Sequence, residues 1–167
     1  KMNGFNAFAP AVNGKSVDDQ RLHKGPAFGQ VNDVSPSASD WPTYRQNNTR
    51  SGSTSADVAA KLKTAWKTRV GESLTPPVLA AGRLYVANKE THTVHCLDAE
   101  TGSSLWSYTA GGRVDSPPTV EGQCVIFGCT DGCVYCLNAE NGALAWRFQA
   151  APRDQRIVAY GQLQSTW

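Results

Sequence analysis

The stretch Leu97-Asp98-Ala99-Glu100-Thr101-Gly102-Ser103-Ser104-Leu105-Trp106 returns, shifted by 40 positions, as Leu137-Asn138-Ala139-Glu140-Asn141-Gly142-Ala143-Leu144-Ala145-Trp146. The same shift places Trp66 on Trp106. Gly82 falls on Gly122, Val94 on Val134 and Cys96 on Cys136. Across 80–108 against 120–148, 8 of 29 positions are identical without a gap. A fixed period of about 40 residues is the mark of a repeat architecture.

Each repeat reads as four short strands. Pro76-Pro77 and Pro117-Pro118 precede the first, where proline is tolerated because the entry of a strand needs no donor. Turns follow at Ala81-Gly82 and Glu121-Gly122, with glycine supplying positive φ. The second strands are Leu84–Ala87 and Cys124–Phe127. Thr130-Asp131-Gly132 is a hairpin turn. Thr93–Leu97 and Cys133–Leu137 are third strands, and the fourth carries the Trp. Four strands in about 40 residues describe one blade of a β-propeller. The fold class is therefore all-β, with two complete antiparallel four-stranded blades plus parts, in an incomplete ring.

A blade cannot bury both sheet faces alone, so it needs neighbours on each side. A closed ring takes about four to eight blades. The chain is thus expected to be a fragment of a longer polypeptide or of an assembly, and to expose apolar faces and unpaired edges when isolated. Trp66 is expected to end a preceding blade. Ser165-Thr166-Trp167 is expected to open a following one, after a connection about ten residues longer than its predecessor. Residues 40–167 form the repeat domain. Residues 1–39 show no sustained period and are read as an irregular leader, a linker or the tail of an upstream domain, a catalytic one in a third reading. Asp57–Lys63 is expected to form one helical turn.

The 167 residues are 40% hydrophobic and 18% charged, with a net charge of +2. That balance is too mild for a nucleic-acid binder, and no run of about 18 apolar residues could cross a membrane as a helix. No signal-peptide pattern is visible. Charge is uneven: residues 1–70 hold ten Lys/Arg against five Asp/Glu, and residues 71–150 hold four against eight. The basic front reads as a solvated leader.

The motif at 97–106 resembles the repeat of pyrroloquinoline-quinone (PQQ) type β-propellers. So does its second copy ending at Trp146, although less closely in its last positions. The segment Asp40-Trp41-Pro42-Thr43-Tyr44-Arg45…Arg50-Ser51-Gly52 resembles the stretch that opens such propellers. The resemblance covers about 40–167. It implies a bacterial, extracytoplasmic (periplasmic) protein and allows two roles. Some members are quinoprotein dehydrogenases that oxidise alcohols or sugars with PQQ and calcium. Others keep the repeat as non-catalytic scaffolds, partnered by their remaining blades or by another protein. The dehydrogenases typically carry an adjacent Cys pair, a catalytic Asp and calcium ligands. None of these can be matched here, so no catalytic residue is assigned. The leading expectation is an interaction scaffold or ligand-binding module; part of a dehydrogenase is the alternative.

Five cysteines, an odd number, argue against a complete disulfide framework. Cys133 and Cys136 lie three apart in a strand and face opposite ways, so they cannot share a zinc ion. Buried thiols are the reading. Cys129 and Cys133 flank a turn, where an oxidising compartment would allow a cross-strand disulfide. His92 and His95 are expected at the surface or at a hairpin end rather than on a metal. Asn47-Asn48-Thr49 fits a glycosylation acceptor but is read as incidental. The best candidate binding residues lie in the inter-blade connections: Arg113 and Asp115 in the first, Arg153 and Arg156 in the second. These arginines suit an anionic ligand, such as a carboxylate or the acids of an orthoquinone cofactor; the competing expectation is that they pair with neighbouring Asp and brace the blades.

Overall fold

A computed structural model describes residues 21–31, 37 and 39–166. The leader reading at 1–20, 32–36 and 38, and Trp167 in the reading at 165–167, lie outside the described residues. No helix occurs among those described, and the strands are all antiparallel.

Blade 1 is the sheet β2 (Val78–Ala80), β3 (Arg83–Asn88), β4 (Thr93–Asp98) and β5 (Ser104–Thr109), in that spatial order. Blade 2 repeats it as β6 (Thr119–Glu121), β7 (Cys124–Gly128), β8 (Cys133–Asn138) and β9 (Leu144–Gln149). The copies agree in detail. Both slip register at the same repeat position, between Cys96 and Leu97 and between Cys136 and Leu137. Such an irregularity bends a strand and increases its twist.

The turn after the third strand explains the Asp/Asn-Ala-Glu-x-Gly motif. Asp98 Oδ1 accepts bonds from the backbone N–H of Glu100 at 3.1 Å and of Thr101 at 2.8 Å. Asn138 Oδ1 accepts from Glu140 N–H at 2.8 Å. An Asx side chain thus mimics a backbone turn. Gly102 and Gly142 close the turns at φ 72° and 73°, the left-handed region that costs other residues about 1–2 kcal/mol.

The core lies between the blades. Tyr85, Val94, Cys96 and Trp106 of blade 1 meet Val125, Phe127, Tyr135 and Leu137 of blade 2 in one buried cluster. Trp106 donates its indole N–H to Ala139 O at 3.0 Å. Trp66 makes the same bond to Ala99 O at 3.0 Å, so it occupies the place of a preceding blade's Trp. Among the described residues, none around Trp66 lies in a strand.

Three details differ from the sequence reading. First, residues 22–24, within the stretch read as irregular, form β1 (Leu22–Lys24), which pairs with β9 and makes blade 2 five-stranded. Nothing but the partner edge makes this a strand: the segment has no alternation of its own. Second, 57–63 forms no helical turn. Val58 and Leu62 are exposed, and a helix this short does not hold without packing. Third, the second connection is not ten residues longer. Its extra length is a hairpin, β10 (Arg156–Ala159) and β11 (Gln162–Ser165). The leader segment at 40–43 lies along the innermost strands. Trp41 exchanges two backbone bonds with Leu79 of β2, at 2.7 and 2.9 Å, and Pro42 O accepts from Val120 N–H of β6 at 2.7 Å.

Candidate functional site

The connection from β5 to β6 runs tightly over the β7–β8 turn. A β-carbon on Gly111 would lie 2.5 Å from Asp131 Oδ2, and one on Gly112 would lie 2.9 Å from Thr130 Oγ1. The Gly111 N–H donates to Tyr135 Oη at 3.2 Å, and that hydroxyl donates to Asp131 Oδ2 at 2.5 Å. The Thr130 N–H donates to Arg113 O at 2.9 Å, which fixes the Arg113 backbone.

Arg113 is oriented by its neighbours. Its Nε and Nη2 both donate to Asp115 Oδ1, at 3.1 and 2.9 Å. Nη1 lies 3.8 Å from Glu90 Oε1, and the guanidinium sits 5.9 Å from the centre of the Tyr160 ring. The side chain is 17% exposed. The hydrogen bond to Asp115, with the charges of Asp115 and Glu90, holds the guanidinium proton more firmly than usual. Charge-assisted pairs of this kind fix geometry.

Around this pair the structure gathers residues from blade 1 and from the hairpin. Gln162 Oε1 is 2.9 Å from His92 Nε2, and Gln162 Nε2 donates to Glu90 Oε2 at 3.4 Å. His92 sits at φ 58° in the β3–β4 turn, the hairpin-end place expected for it. Glu90 was not foreseen. Nothing in its local sequence signals a role, and only the third dimension brings it to Arg113.

The other two candidate arginines belong elsewhere. Arg156 Nε donates to Asp154 Oδ1 at 2.9 Å, and the pair is well exposed. Arg153 is half-buried in the loop before it. Arg113 and Asp115 are thus joined, while Arg156 has its own partner two residues away.

Asp115 also borders a cavity of about 450 Å³ with Thr43, Tyr44, Arg50, Pro76, Ser116, Pro117 and Thr119. Arg50 lies 5.5 Å from the centre of the Tyr44 ring, and Thr43 Oγ1 is 2.9 Å from Thr119 Oγ1. The leader forms one wall and the blade entries the other. The lining is mixed: one cation, one carboxylate already paired, and hydroxyls. Among the described residues no three His, Cys, Asp or Glu side chains are grouped as metal ligands. All five cysteines are thiols, Cys129 and Cys133 included.

The sequence matches the family model of the outer membrane protein assembly factor BamB over residues 47–164. No curated protein matches it. Among solved structures, a europium-containing methanol dehydrogenase superposes with a TM-score of 0.59 at 18% identity, over 69% of this chain and 24% of that one. The quinohemoprotein alcohol dehydrogenase of Comamonas testosteroni gives 0.56 at 23%, over 66% and 19%. BamB of Moraxella catarrhalis gives 0.40 at 21%, over 42% and 21%. The chain therefore spans about a fifth to a quarter of the length of these proteins. The two dehydrogenases support the propeller fold.

Proposed function

Since this chain belongs to the family of the outer membrane protein assembly factor BamB, we propose that it is a non-catalytic propeller module, an interaction scaffold working outside the cytoplasm on the assembly of outer-membrane proteins. One observation carries the reading. The Arg113 guanidinium, one of the three candidate anion-binding groups, is directed at Asp115 and Glu90 and braces the connection between blades. A scaffold needs such bracing, whereas an anionic quinone would have to displace it. What the module offers a partner is sheet: the outer strand β5 has Leu105 45% exposed. No helix of the described residues is long and apolar enough to cross a membrane.

The test has two arms. The chain is titrated with PQQ and calcium, following tryptophan fluorescence and alcohol-dependent dye reduction. No saturable change is expected. Saturable binding with turnover would instead make it part of a quinoprotein dehydrogenase. In parallel, a photo-crosslinker at Ser107 on β5, introduced in cells, is expected to capture a protein of the outer-membrane assembly machinery. Crosslinks no different from those of a crosslinker at Lys63 would remove the scaffold role.

A further inference from the structure

The hairpin β10–β11 repeats the opening of a blade. Ile157-Val158-Ala159-Tyr160-Gly161-Gln162-Leu163 parallels Val78-Leu79-Ala80-Ala81-Gly82-Arg83-Leu84. The two-residue turns agree in conformation: Ala81 and Gly82 have φ 50° and 71°, and Tyr160 and Gly161 have 52° and 73°. The middle pair also corresponds in all three hairpins: Leu79 with Leu84, Val120 with Val125, Val158 with Leu163.

Burial does not follow. In blade 2 the pair faces blade 1, with Val120 at 6% and Val125 at 0% exposure. In the third hairpin Val158 is 76% and Leu163 55% exposed. The hairpin lies instead across the turns: the Ser165 N–H donates to Thr130 O at 2.6 Å, and Gln162 reaches His92.

The face on which that pair would pack is occupied. On blade 2, the side bearing Cys124, Ile126, Cys136 and Trp146 is the counterpart of the side of blade 1 that receives blade 2. Ala27 and Val31 of the leader pack there. The strap at 21–31 is well anchored. Arg21 donates to the carbonyls of Gln149 and Ala150, both at 2.8 Å, and lies 4.8 Å from the centre of the Phe148 ring. Gly25 and Ala27 N–H donate to Ala145 O and Leu144 O.

We propose that this face of blade 2 is a berth with two competing occupants in the same chain: the strap 21–31, which holds it here, and the β10–β11 hairpin, whose Val158–Leu163 pair docks when the strap leaves. Addition of the third blade is thereby gated by the leader.

Hydrogen exchange of the full chain tests this. A β-carbon at Gly25 would lie 2.1 Å from Leu144 O, so Gly25→Val expels the strap. Amides of 21–31 are expected to exchange faster and those of 157–164 slower, each by about tenfold or more. Adding Leu163→Asp should abolish the slowing. Arg21→Ala, which inserts nothing, repeats the test should Gly25→Val unfold blade 2, as judged by exchange of β8. Release of the strap with unchanged exchange at 157–164 would overturn the proposal. So would a strap whose exchange neither variant alters.

Discussion

Gly142 lies directly beneath the indole of Trp106: a β-carbon there would come within 2.7 Å of the ring. Gly102 stands in the same relation to Trp66, at 2.4 Å. The glycine of each turn is therefore required twice, for its positive φ and for the Trp of the preceding repeat. Gly142→Ala should cost about 2–5 kcal/mol, combining left-handed strain with overpacking. Gly82 has a similar φ of 71° but nothing within 4 Å of its notional β-carbon. Gly82→Ala should therefore cost only about 1–2 kcal/mol. Urea unfolding of the two variants, with unchanged m-values, checks the difference; equal costs would mean that Trp106 contributes nothing to the requirement.

How much of this was legible in the sequence follows from the range of each interaction. The blades were readable because Trp, Gly and Asx act within one repeat and its neighbour, and recur at a fixed spacing. The third hairpin was missed although Tyr160-Gly161 is a turn signal. Without a Pro pair before it, and with Thr166 taken as the counterpart of Ser116 at a 50-residue offset, the stretch reads as a long connection. β1 has no local signal: Leu22-His23-Lys24 is all exposed and owes its conformation to the edge of β9. The site was half legible. The Arg113–Asp115 pair is two residues apart and could be anticipated as a brace, but Glu90 and Gln162 reach it only through the fold.

Alkaline sensitivity follows from the core. Burial raises the thiol pKa values of Cys96 and Cys133 and pushes that of Cys136 up to about 12, with Cys124 beside it adding to the rise. Burial also raises Tyr85 and Tyr135. An unfolded thiol releases its proton near 9.0, so above that pH the unfolded state holds fewer protons than the native one. Stability is full below about pH 9 and falls as pH rises, by up to about 1.4 kcal/mol per pH unit for each such proton. Melting followed by circular dichroism from pH 7.5 to 10.5 should show the fall, and Cys136→Ala should make it shallower. A melting temperature flat across that range would contradict the burial of these groups.

His95 sets the acid side. It is half-buried on β4 between Val86 and Ser107, and burial lowers its pKa below the usual 6.5. Below pH 6.5 the unfolded chain therefore binds a proton that the native state resists. Stability should be complete at pH 7.5 and decline as pH drops through 6.5 toward the lowered native value. Chemical denaturation at pH 7.5, 6.5 and 5.5, compared with His95→Gln, isolates this contribution. An equally steep decline in the variant would assign it to other groups.

Tyr135 ties the connection between blades to the core. Its ring stacks on Phe127, with centroids 5.3 Å apart and planes 3° from parallel. Its hydroxyl joins the Asp131 carboxylate to the Gly111 N–H. Tyr135→Phe keeps the stack and removes the hydroxyl, leaving the Gly111 N–H without its acceptor. Gly111 is exposed, so water can replace the acceptor, and the loss should be about 0.5–1.5 kcal/mol, the net worth of a typical hydrogen bond. The loss should be local as well as global, because Gly111 and Gly112 have no side chains to hold the connection down. Amide exchange at Gly111 should rise well beyond the change at Val125 in the strand core. If both rise equally, the hydroxyl adds only to overall stability, and Arg113 alone must keep the connection in place.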